Sequence, residues 1–122
     1  METYSTNLMD IDAIYQRGFE FRCSGAYGQA KVEFLKVIAV DPNHVKAQHQ
    51  LGLIQGFEGD FDGSLEILNK LCLANPNDNE IRYDLAMTQM MLGMSDEACQ
   101  NFKMILQNDP SHKNALQQSV YC

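Results

Sequence analysis

Three stretches of this sequence repeat one pattern: VDPNHVKA at residues 40–47, ANPNDNEI at residues 74–81 and NDPSHKNA at residues 108–115. Each places an Asp or Asn immediately before a proline and polar residues after it. Pro42, Pro76 and Pro110 are separated by 34 residues in both intervals. A fixed period of this length is the sequence signature of a protein built from repeated supersecondary units.

A second motif precedes each proline by 17 residues. It reads SGAYGQA, EGDFDGS and LGMSDEA, and its glycines are Gly25, Gly59 and Gly93. A glycine after an apolar helical run favours a left-handed C-terminal cap, and a proline ends or restarts a helix because it lacks a backbone N–H. Each period therefore predicts two helices, at residues 11–24 and 26–40, 45–58 and 61–74, and 79–92 and 95–108. Asp10 and Ser95 are predicted N-caps, and Ser95 is followed by an acidic first turn.

The residues between these punctuation points agree across the three periods. If position 1 is Ile11, Val45 and Asn79, small residues occupy position 8 (Gly18, Gly52, Ala86) and position 20 (Ala30, Ser64, Ala98), and bulky residues occupy position 24 (Phe34, Leu68, Phe102) and position 27 (Val37, Leu71, Ile105). Residues 11–112 thus resemble the tetratricopeptide repeat (TPR) family. The resemblance implies an all-α fold, a right-handed α-solenoid of helix-turn-helix repeats at residues 11–44, 45–78 and 79–112.

The flanks and some repeat positions depart from the family pattern. Residues 1–10 are predicted to be a flexible tail, and residues 113–122 a C-terminal capping helix, with a truncated fourth repeat as the alternative. We expect Ala115, Leu116, Ser119 and Val120 to pack on the last repeat, with Lys113, Gln117 and Gln118 facing water. Arg17 replaces the usual leucine of position 7, which predicts a weaker first repeat. The glutamines Gln48, Gln55 and Gln89 replace aromatic residues at positions 4 and 11, so each needs a polar partner or water.

The family resemblance also implies a binding site. In TPR proteins the first helix of each repeat lines a concave groove, which positions 2, 5, 6, 9, 12 and 13 most often face. The implied peptide-binding residues are Tyr15, Phe19, Arg22, Lys46, His49, Gln50, Leu53, Phe57, Tyr83, Asp84, Met87, Met90 and Met91. Methionine suits both irregular core gaps and adaptable binding surfaces, and here the register places all three methionines toward the groove. The alternative is that the N-terminal tail, the last helix or a second subunit covers this apolar surface.

The same register argues against one kind of peptide. TPR domains that clamp the acidic C-terminus of heat-shock chaperones use lysine, asparagine and arginine at five groove positions. Here those positions hold Tyr15, Phe19, Gln50, Glu80 and Asp84. A carboxylate would be repelled by the two acidic residues, so we expect a peptide with apolar anchors and a basic residue.

The composition restricts the possible partners, the location of the protein and the state of its cysteines. Nine Lys and Arg against sixteen Asp and Glu give a net charge of -7, which disfavours nucleic acid and anionic membranes. The sequence shows no leader or membrane span, and we expect a cytoplasmic protein. Its four cysteines have no metal-ligand spacing and are predicted to be free thiols, the first three packed like small apolar residues.

We find no pattern that predicts a catalytic, cofactor-binding or metal site. Asp60, Asp62 and Ser64 begin like a calcium loop, but Leu65 and Leu71 stand where that loop needs Gly and Glu. The preferred function is a protein–protein interaction module, adaptor or chaperone-like, that binds a peptide segment with apolar anchors. The alternative is a structural element that forms a homo-oligomer through the same groove, and an enzyme is a distant third.

Overall fold

The computed structural model describes residues 10–122, so the predicted tail lies outside the described residues except for Asp10. Seven α-helices make up this part of the chain: α1 (Ile11–Cys23), α2 (Tyr27–Val40), α3 (Val45–Phe57), α4 (Phe61–Ala74), α5 (Asn79–Met91), α6 (Ser95–Asn108) and α7 (Lys113–Ser119). No strand occurs in residues 10–122. Each of the six helices of the three repeats begins and ends within one residue of its prediction, which confirms an all-α helical-repeat fold.

The turn inside each repeat has the predicted glycine geometry. Gly25, Gly59 and Gly93 have φ angles of 83°, 100° and 77°, the left-handed region in which a side chain is strained. Their N–H groups bond to carbonyl oxygens of the preceding helix, such as that of Arg22 for Gly25, at 3.0 Å. The backbone therefore reverses in the same way at all three places.

The helix N-caps differ from the predictions. Asp10 stands at the N-cap of α1, but its carboxylate makes no capping hydrogen bond. The prediction that Ser95 caps α6 is wrong: Met94 holds the N-cap, because its N–H bonds to the Gln89 carbonyl oxygen at 2.8 Å and closes the turn one residue earlier. The acidic residues that follow Ser95 do lie in the first helical turn.

The described residues form two compact units, an N-terminal unit that ends at Ile54 and a C-terminal unit that begins at Gln55. The core of the N-terminal unit consists of Ala30, Phe34, Val37, Ala47 and Ile54. A methyl group at Gly18 would lie only 2.9 Å from the Phe34 ring. The small residue at position 8 therefore allows α1 to approach α2 closely, as the sequence predicted.

The charge of Arg17 has a partner in the N-terminal unit. Its Nε donates to Glu33 Oε1 at 2.9 Å, and Lys36 Nζ donates to Glu33 Oε2 at the same distance. Glu33 is buried while both cations stay more than half exposed. The pKa of Glu33 lies below its usual value. The hydrogen bond from Lys36 is the main cause, and the hydrogen bond from Arg17 adds to it. The predicted weakening of the first repeat by Arg17 is thus offset by an ion pair across α1 and α2.

In the C-terminal unit, α5, α6 and α7 enclose a core of Ala86, Ala98, Phe102, Ile105 and Ala115. Leu68, Leu71 and Cys72 of α4 are also buried, as are Ile81 and Leu85 of α5. Both units have buried residues at repeat positions 3, 20, 24 and 27, which is why one 34-residue pattern builds both.

The polar residues at apolar family positions find partners. Gln48 Nε2 donates to the Pro42 carbonyl oxygen at 2.7 Å, and Gln55 Nε2 donates to Asp60 Oδ2 at 2.7 Å. Gln89 Oε1 accepts from Asn101 Nδ2 at 2.7 Å. The predicted need for polar partners is confirmed for all three glutamines. These hydrogen bonds replace the ones that the side-chain amides would otherwise make to water.

Arg82, at position 4 of the third repeat, is buried. Its guanidinium donates to Asn101 Oδ1 at 2.9 Å and to the Pro76 carbonyl oxygen at 3.0 Å. Both acceptors are neutral, and they link the start of α5 to α6 and to the preceding turn. The arginine stem packs where the family usually has an aromatic ring.

The prediction of four free thiols is wrong. Cys99 and Cys122 form a disulfide bond, with Cα atoms 5.8 Å apart. They are 23 residues apart in sequence, but α7 folds back on α6 and brings them together. Cys72 is free and buried, as expected for a small apolar residue, whereas Cys23 is free and exposed. Burial raises the pKa of the Cys72 thiol, and nearby Arg82 opposes that effect.

Some residues of the last segment are exposed differently from the prediction. Ala115 is buried, and Lys113 and Gln117 are exposed, as expected. Leu116 and Val120 are exposed instead of packed on the last repeat. Val120 follows the end of α7, and Gln118 and Ser119 are both partly buried.

Candidate functional site

The predicted groove residues fall into three classes of burial. Gln50 is buried; Tyr15, Phe19, Arg22, His49, Leu53, Tyr83, Asp84, Met87 and Met90 are partly buried; Lys46, Phe57 and Met91 are exposed. The residues of each unit are described in turn.

In the N-terminal unit, Tyr15 is held by two aromatic neighbours. Its ring centroid lies 5.5 Å from that of Phe34 and 5.6 Å from that of His44. Phe19 stacks beside it at 6.4 Å, and the Arg22 guanidinium lies 4.9 Å from the centre of the Phe19 ring. Three groove positions of this unit therefore share one aromatic row with a cation at its end, in which the rings have little freedom to move.

A cleft of about 580 Å³ opens next to Tyr15. It is lined by α1 and by the residues that lead into α3, and Lys46 is among them. Asp12, Asp41 and Lys46 give the cleft both signs of charge. It can therefore take a polar segment that carries a basic or an acidic group beside one face of the tyrosine.

Gln50 lies behind this aromatic row. Its side-chain amide hydrogen-bonds the Tyr15 hydroxyl, but burial is the stronger influence, so the pKa of Tyr15 is raised. Gln50 Oε1 is buried and has no hydrogen-bond partner among residues 10–122. A buried acceptor without a protein partner costs free energy, about 1 to 3 kcal/mol.

In the C-terminal unit, Tyr83 repeats the arrangement of Tyr15. Its ring centroid lies 6.0 Å from that of Phe102 and 5.9 Å from that of His112. These are the same repeat positions as Phe34 and His44, two repeats later in the sequence. Position 5 of the first and third repeats therefore presents a tyrosine whose ring orientation is fixed by a phenylalanine and a histidine.

The three methionines of α5 do not share one environment. Met87 and Met90 are partly buried and pack against the core of Ala86, Phe102 and their neighbours, whereas Met91 is 62% exposed. Phe57, at the same repeat position on α3, is 50% exposed. Position 13 of the second and third repeats therefore places a large apolar side chain in contact with solvent.

The acidic side of the predicted groove is at the start of α5. Burial raises the pKa of Tyr83, and the charges of Asp84 and Glu80 add to that effect. His112 Nε2 lies 3.9 Å from Glu80 Oε1. Two carboxylates beside a neutral tyrosine attract a basic side chain and repel an acidic one.

Sequence reasoning missed the role of the histidines at position 34. His44 Nδ1 accepts from the Ala47 N–H at 3.0 Å, and His112 Nδ1 accepts from the Ala115 N–H at 3.1 Å. Each histidine thus caps one helix and supports one groove tyrosine. The signal was available, since both stand three residues before an alanine at the start of a helix, the usual distance for a capping side chain.

The start of the calcium-like loop has a structural role. Asp60 Oδ1 accepts from the Gly63 N–H at 2.9 Å, so this carboxylate serves as the N-cap of α4. No group of three His, Cys, Asp or Glu side chains in the described part of the chain is arranged to hold a metal ion. Nor is any helix there long and apolar enough to cross a membrane.

The sequence was compared with known protein families and with curated proteins. Tetratricopeptide repeat family models match residues 45–78 and residues 80–112. These are the second and third predicted repeats, and together they cover more than half of the chain. A comparison with curated proteins gave no match.

Solved structures show the same fold. The first TPR of Spaghetti (RPAP3) bound to the HSP90 peptide SRMEEVD superposes with a TM-score of 0.81 at 14% identity, over 93% of this chain and 90% of that one. An O-GlcNAc transferase mutant from Thermobaculum terrenum gives a TM-score of 0.83 at 19% identity, over 93% and 22% of the two chains. MamA from Desulfovibrio magneticus RS-1 gives a TM-score of 0.77 at 22% identity, over 92% and 63%. The chain thus spans less than two thirds of the length of that MamA structure.

Proposed function

The chain belongs to the tetratricopeptide repeat family, and we propose that it is a non-catalytic adaptor whose groove positions bind a peptide segment with apolar anchors. The protein–protein interaction role follows from the family. The observation that carries the finer proposal is the exposure of Phe57 and Met91 at one repeat position of the C-terminal unit. A partner that covers them removes apolar surface from water, which is the main driving force of such binding.

The rigid tyrosines support the proposal. Tyr15 and Tyr83 are each held against a phenylalanine and a histidine, so little side-chain freedom is lost when a peptide contacts them. Met91 is flexible and adapts to different partner side chains. Each unit thus offers one fixed tyrosine ring, and the C-terminal unit adds an adaptable methionine.

The charges indicate which peptide fits. Glu80 and Asp84 stand where chaperone-binding TPR domains carry cationic residues, so this chain lacks the clamp for a C-terminal carboxylate. We propose a peptide with two apolar anchors and a lysine or arginine near them. The HSP90 peptide SRMEEVD, which the TPR of Spaghetti binds, is therefore a suitable negative probe.

The test begins with peptides selected by display on the immobilised full chain and measured by fluorescence anisotropy. We expect Phe57→Ser/Met91→Ser to weaken the best binder roughly 30-fold, because each half-exposed side chain contributes about 1 kcal/mol when covered. Leu73→Ser is the matched control, since Leu73 is 76% exposed on α4, a second helix outside the predicted groove. Unchanged affinity in the double variant, or equally tight binding of SRMEEVD, would remove the proposal.

Self-assembly through the same surface is the competing outcome. A light-scattering mass of a stable dimer that Phe57→Ser/Met91→Ser converts to a monomer would assign the groove to a second copy. We propose neither nucleic acid nor a membrane as partner, because the net charge of -7 opposes both.

We also propose a cytoplasmic location, which the disulfide makes testable. Disulfides persist in oxidising compartments and are rare in the cytosol. In a reducing cytosol the Cys99–Cys122 bond would be open, so rapid alkylation of source cells lysed in denaturant, which also exposes the buried Cys72, should modify all four cysteines. Protection of Cys99 and Cys122 until a reductant is added would place the protein in an oxidising compartment instead.

A further inference from the structure

The Cys99–Cys122 disulfide lies in a cleft between α6 and the end of α7. The cleft has a volume of about 700 Å³, and Lys103 and Leu106 of α6 line it together with Ser119 of α7. Both cysteines also line the cleft, and Cys122 is exposed to solvent. The disulfide therefore holds the end of the α7 segment beside α6 at a place where a small thiol can reach the two sulfur atoms.

The short helix α7 depends on attachments near its two ends. It has seven residues, of which only Ala115 is buried, in the core that contains Phe102 and Ile105. A helix of this length is not stable in water by itself, because too few backbone hydrogen bonds offset the cost of its nucleation. Ala115 therefore fixes the start of α7, and the bond from Cys122 to Cys99 fixes the segment that follows it.

His112 connects α7 to the predicted groove. Its Nδ1 accepts from the Ala115 N–H at 3.1 Å, and its ring centroid lies 5.9 Å from that of Tyr83. One side chain thus caps α7 and limits the orientations of a groove tyrosine. If α7 loses its helical structure, the Ala115 N–H moves away from His112, and the imidazole can turn away from Tyr83.

Tyr15 of the N-terminal unit has the same arrangement without a disulfide next to it. His44 Nδ1 accepts from the Ala47 N–H at 3.0 Å, and the His44 ring lies 5.6 Å from that of Tyr15. The helix that His44 caps, α3, has 13 residues and buries four of them: Ala47, Gln50, Gly52 and Ile54. Packing along α3 therefore holds His44 in place, and Tyr15 serves as an internal control for Tyr83.

We propose that the Cys99–Cys122 disulfide is a redox switch that sets the affinity of the groove at Tyr83. This inference rests on the peptide-binding function proposed above. In the oxidised chain, α7 is fixed near both ends and His112 keeps Tyr83 in one orientation. In the reduced chain, the end of α7 is released and His112 loses its capping partner. A peptide must then immobilise Tyr83 itself, which lowers its affinity.

The chemical step is a thiol–disulfide exchange with a dithiol. One thiolate of the dithiol forms a bond to Cys122 Sγ, and Cys99 Sγ leaves as a thiolate that takes up a proton. The second thiolate of the dithiol then displaces Cys122 Sγ, which also takes up a proton, and the dithiol becomes a disulfide. The chain gains two electrons and two protons, and exchange with a small-molecule disulfide reverses the reaction. Cytosolic disulfides are usually transient and serve redox sensing or catalysis, which agrees with the proposed location.

The first experiment needs no peptide. The full chain is labelled with ¹³C in its tyrosine rings, and Tyr15→Phe and Tyr83→Phe assign the two signals in NMR spectra. Addition of dithiothreitol should shift the Tyr83 signal and leave the Tyr15 signal unchanged. Cys99→Ser/Cys122→Ser should show the shifted Tyr83 signal without any reductant. Cys23→Ser is the matched control, and it should respond as the unaltered chain does, because Cys23 is a free thiol.

The second experiment measures binding of the best display-selected peptide by fluorescence anisotropy. We expect dithiothreitol to weaken this peptide about fivefold, the effect of having to immobilise one further side chain. His112→Asn keeps a capping side chain but removes the ring, so the reductant should no longer change the affinity of this variant. His44→Asn is its counterpart in the N-terminal unit, and the affinity of that variant should still fall about fivefold with the reductant.

The two experiments separate this inference from the proposed function. Identical Tyr83 signals in the oxidised and reduced chain would overturn the redox switch whether or not a peptide binds. An equal change of the Tyr15 signal would also overturn it, because the whole fold would then have loosened. Tight peptide binding that does not depend on the reductant would refute the switch and leave the peptide-binding function intact. A reductant-sensitive Tyr83 in a chain that binds no peptide would remove the peptide-binding function and, with it, its regulation.

Discussion

Replacement of Gly18 by alanine tests whether close helix packing decides the stability of the N-terminal unit. The added methyl group would lie 2.9, 3.0 and 3.1 Å from three atoms of the Phe34 ring. Carbon atoms in contact prefer about 3.5 to 4.0 Å. The ring cannot move aside into solvent, because Phe34 is completely buried among Ala30, Val37 and Ile54. The helices must separate or the ring must leave its preferred rotamer.

Two effects of opposite sign determine how much Gly18→Ala changes the free energy of unfolding. Alanine stabilises a helix interior by about 1 kcal/mol relative to glycine. Overpacking of a core costs about 1 to 3 kcal/mol, and three ring atoms within 3.1 Å place Gly18→Ala in the upper half of that range. We therefore expect a net loss of about 1 to 2 kcal/mol in the free energy of unfolding.

The assay is urea unfolding of the full chain followed by circular dichroism at 222 nm. With a slope of about 2 kcal/mol per molar urea, the midpoint should fall by about 0.5 to 1 M. Gly28→Ala is the matched control, because Gly28 also lies in a helix but has nothing within 4 Å of an added methyl group. We expect that control to raise the stability by up to about 1 kcal/mol.

A double variant separates the contact from other effects of Gly18→Ala. Phe34→Leu removes the ring atoms that the new methyl group meets, so the cost of Gly18→Ala should shrink by about 1 to 2 kcal/mol in its presence. If Gly18→Ala raised the midpoint as Gly28→Ala does, helix propensity alone would decide and the packing argument would be refuted. Strict additivity of the two substitutions would have the same consequence.

Two further predictions concern charge and the cross-link. Glu33 has a lowered pKa, so its stabilising effect is present above the pKa of an unfolded glutamate, near pH 4.3, and is lost as the pH falls through the lower folded value. In urea unfolding, Glu33→Gln should lower the free energy of unfolding by about 1 kcal/mol at pH 7 and leave it unchanged near pH 2. A difference between the two proteins that stays constant with pH would contradict this prediction. Reduction of the Cys99–Cys122 disulfide should lower stability by about 3 kcal/mol, the effect of closing a loop of this length. The stability of the double variant Cys99→Ser/Cys122→Ser should then not change with the reductant. Equal stability of the oxidised and reduced protein would contradict the stabilising effect of the disulfide.

Most of the fold was predictable because it depends on local signals that recur. Gly25, Gly59 and Gly93 end helices through their own backbone freedom, and Pro42 and its two counterparts separate the repeats through the missing N–H. The helix boundaries follow from these residues with little influence from distant parts of the chain. The exception was the N-cap of α6, where Met94, whose N–H bonds to the Gln89 carbonyl oxygen, took the place of the expected serine.

The candidate site was predictable only in part. The register alone, through the family resemblance, implied which residues belong to the groove. Their exposure was not predictable from register, since Met91 is exposed whereas Met87 and Met90, at most four residues away, are partly buried. Exposure depends on which neighbours pack against each side chain, and the rings that support Tyr15 and Tyr83 come from different helices and turns.

The sequence by itself determined the repeat length, the helices and the small residues where helices meet, because each of these depends on the chemistry of a few neighbouring residues. Only the tertiary structure decided that Arg17 pairs with Glu33, that Cys99 bonds to Cys122 and that Val120 faces solvent. Those outcomes join residues 16 and 23 positions apart or depend on which side chains surround one residue. Helix packing decides which of these distant residues meet, and a local sequence pattern does not determine that packing.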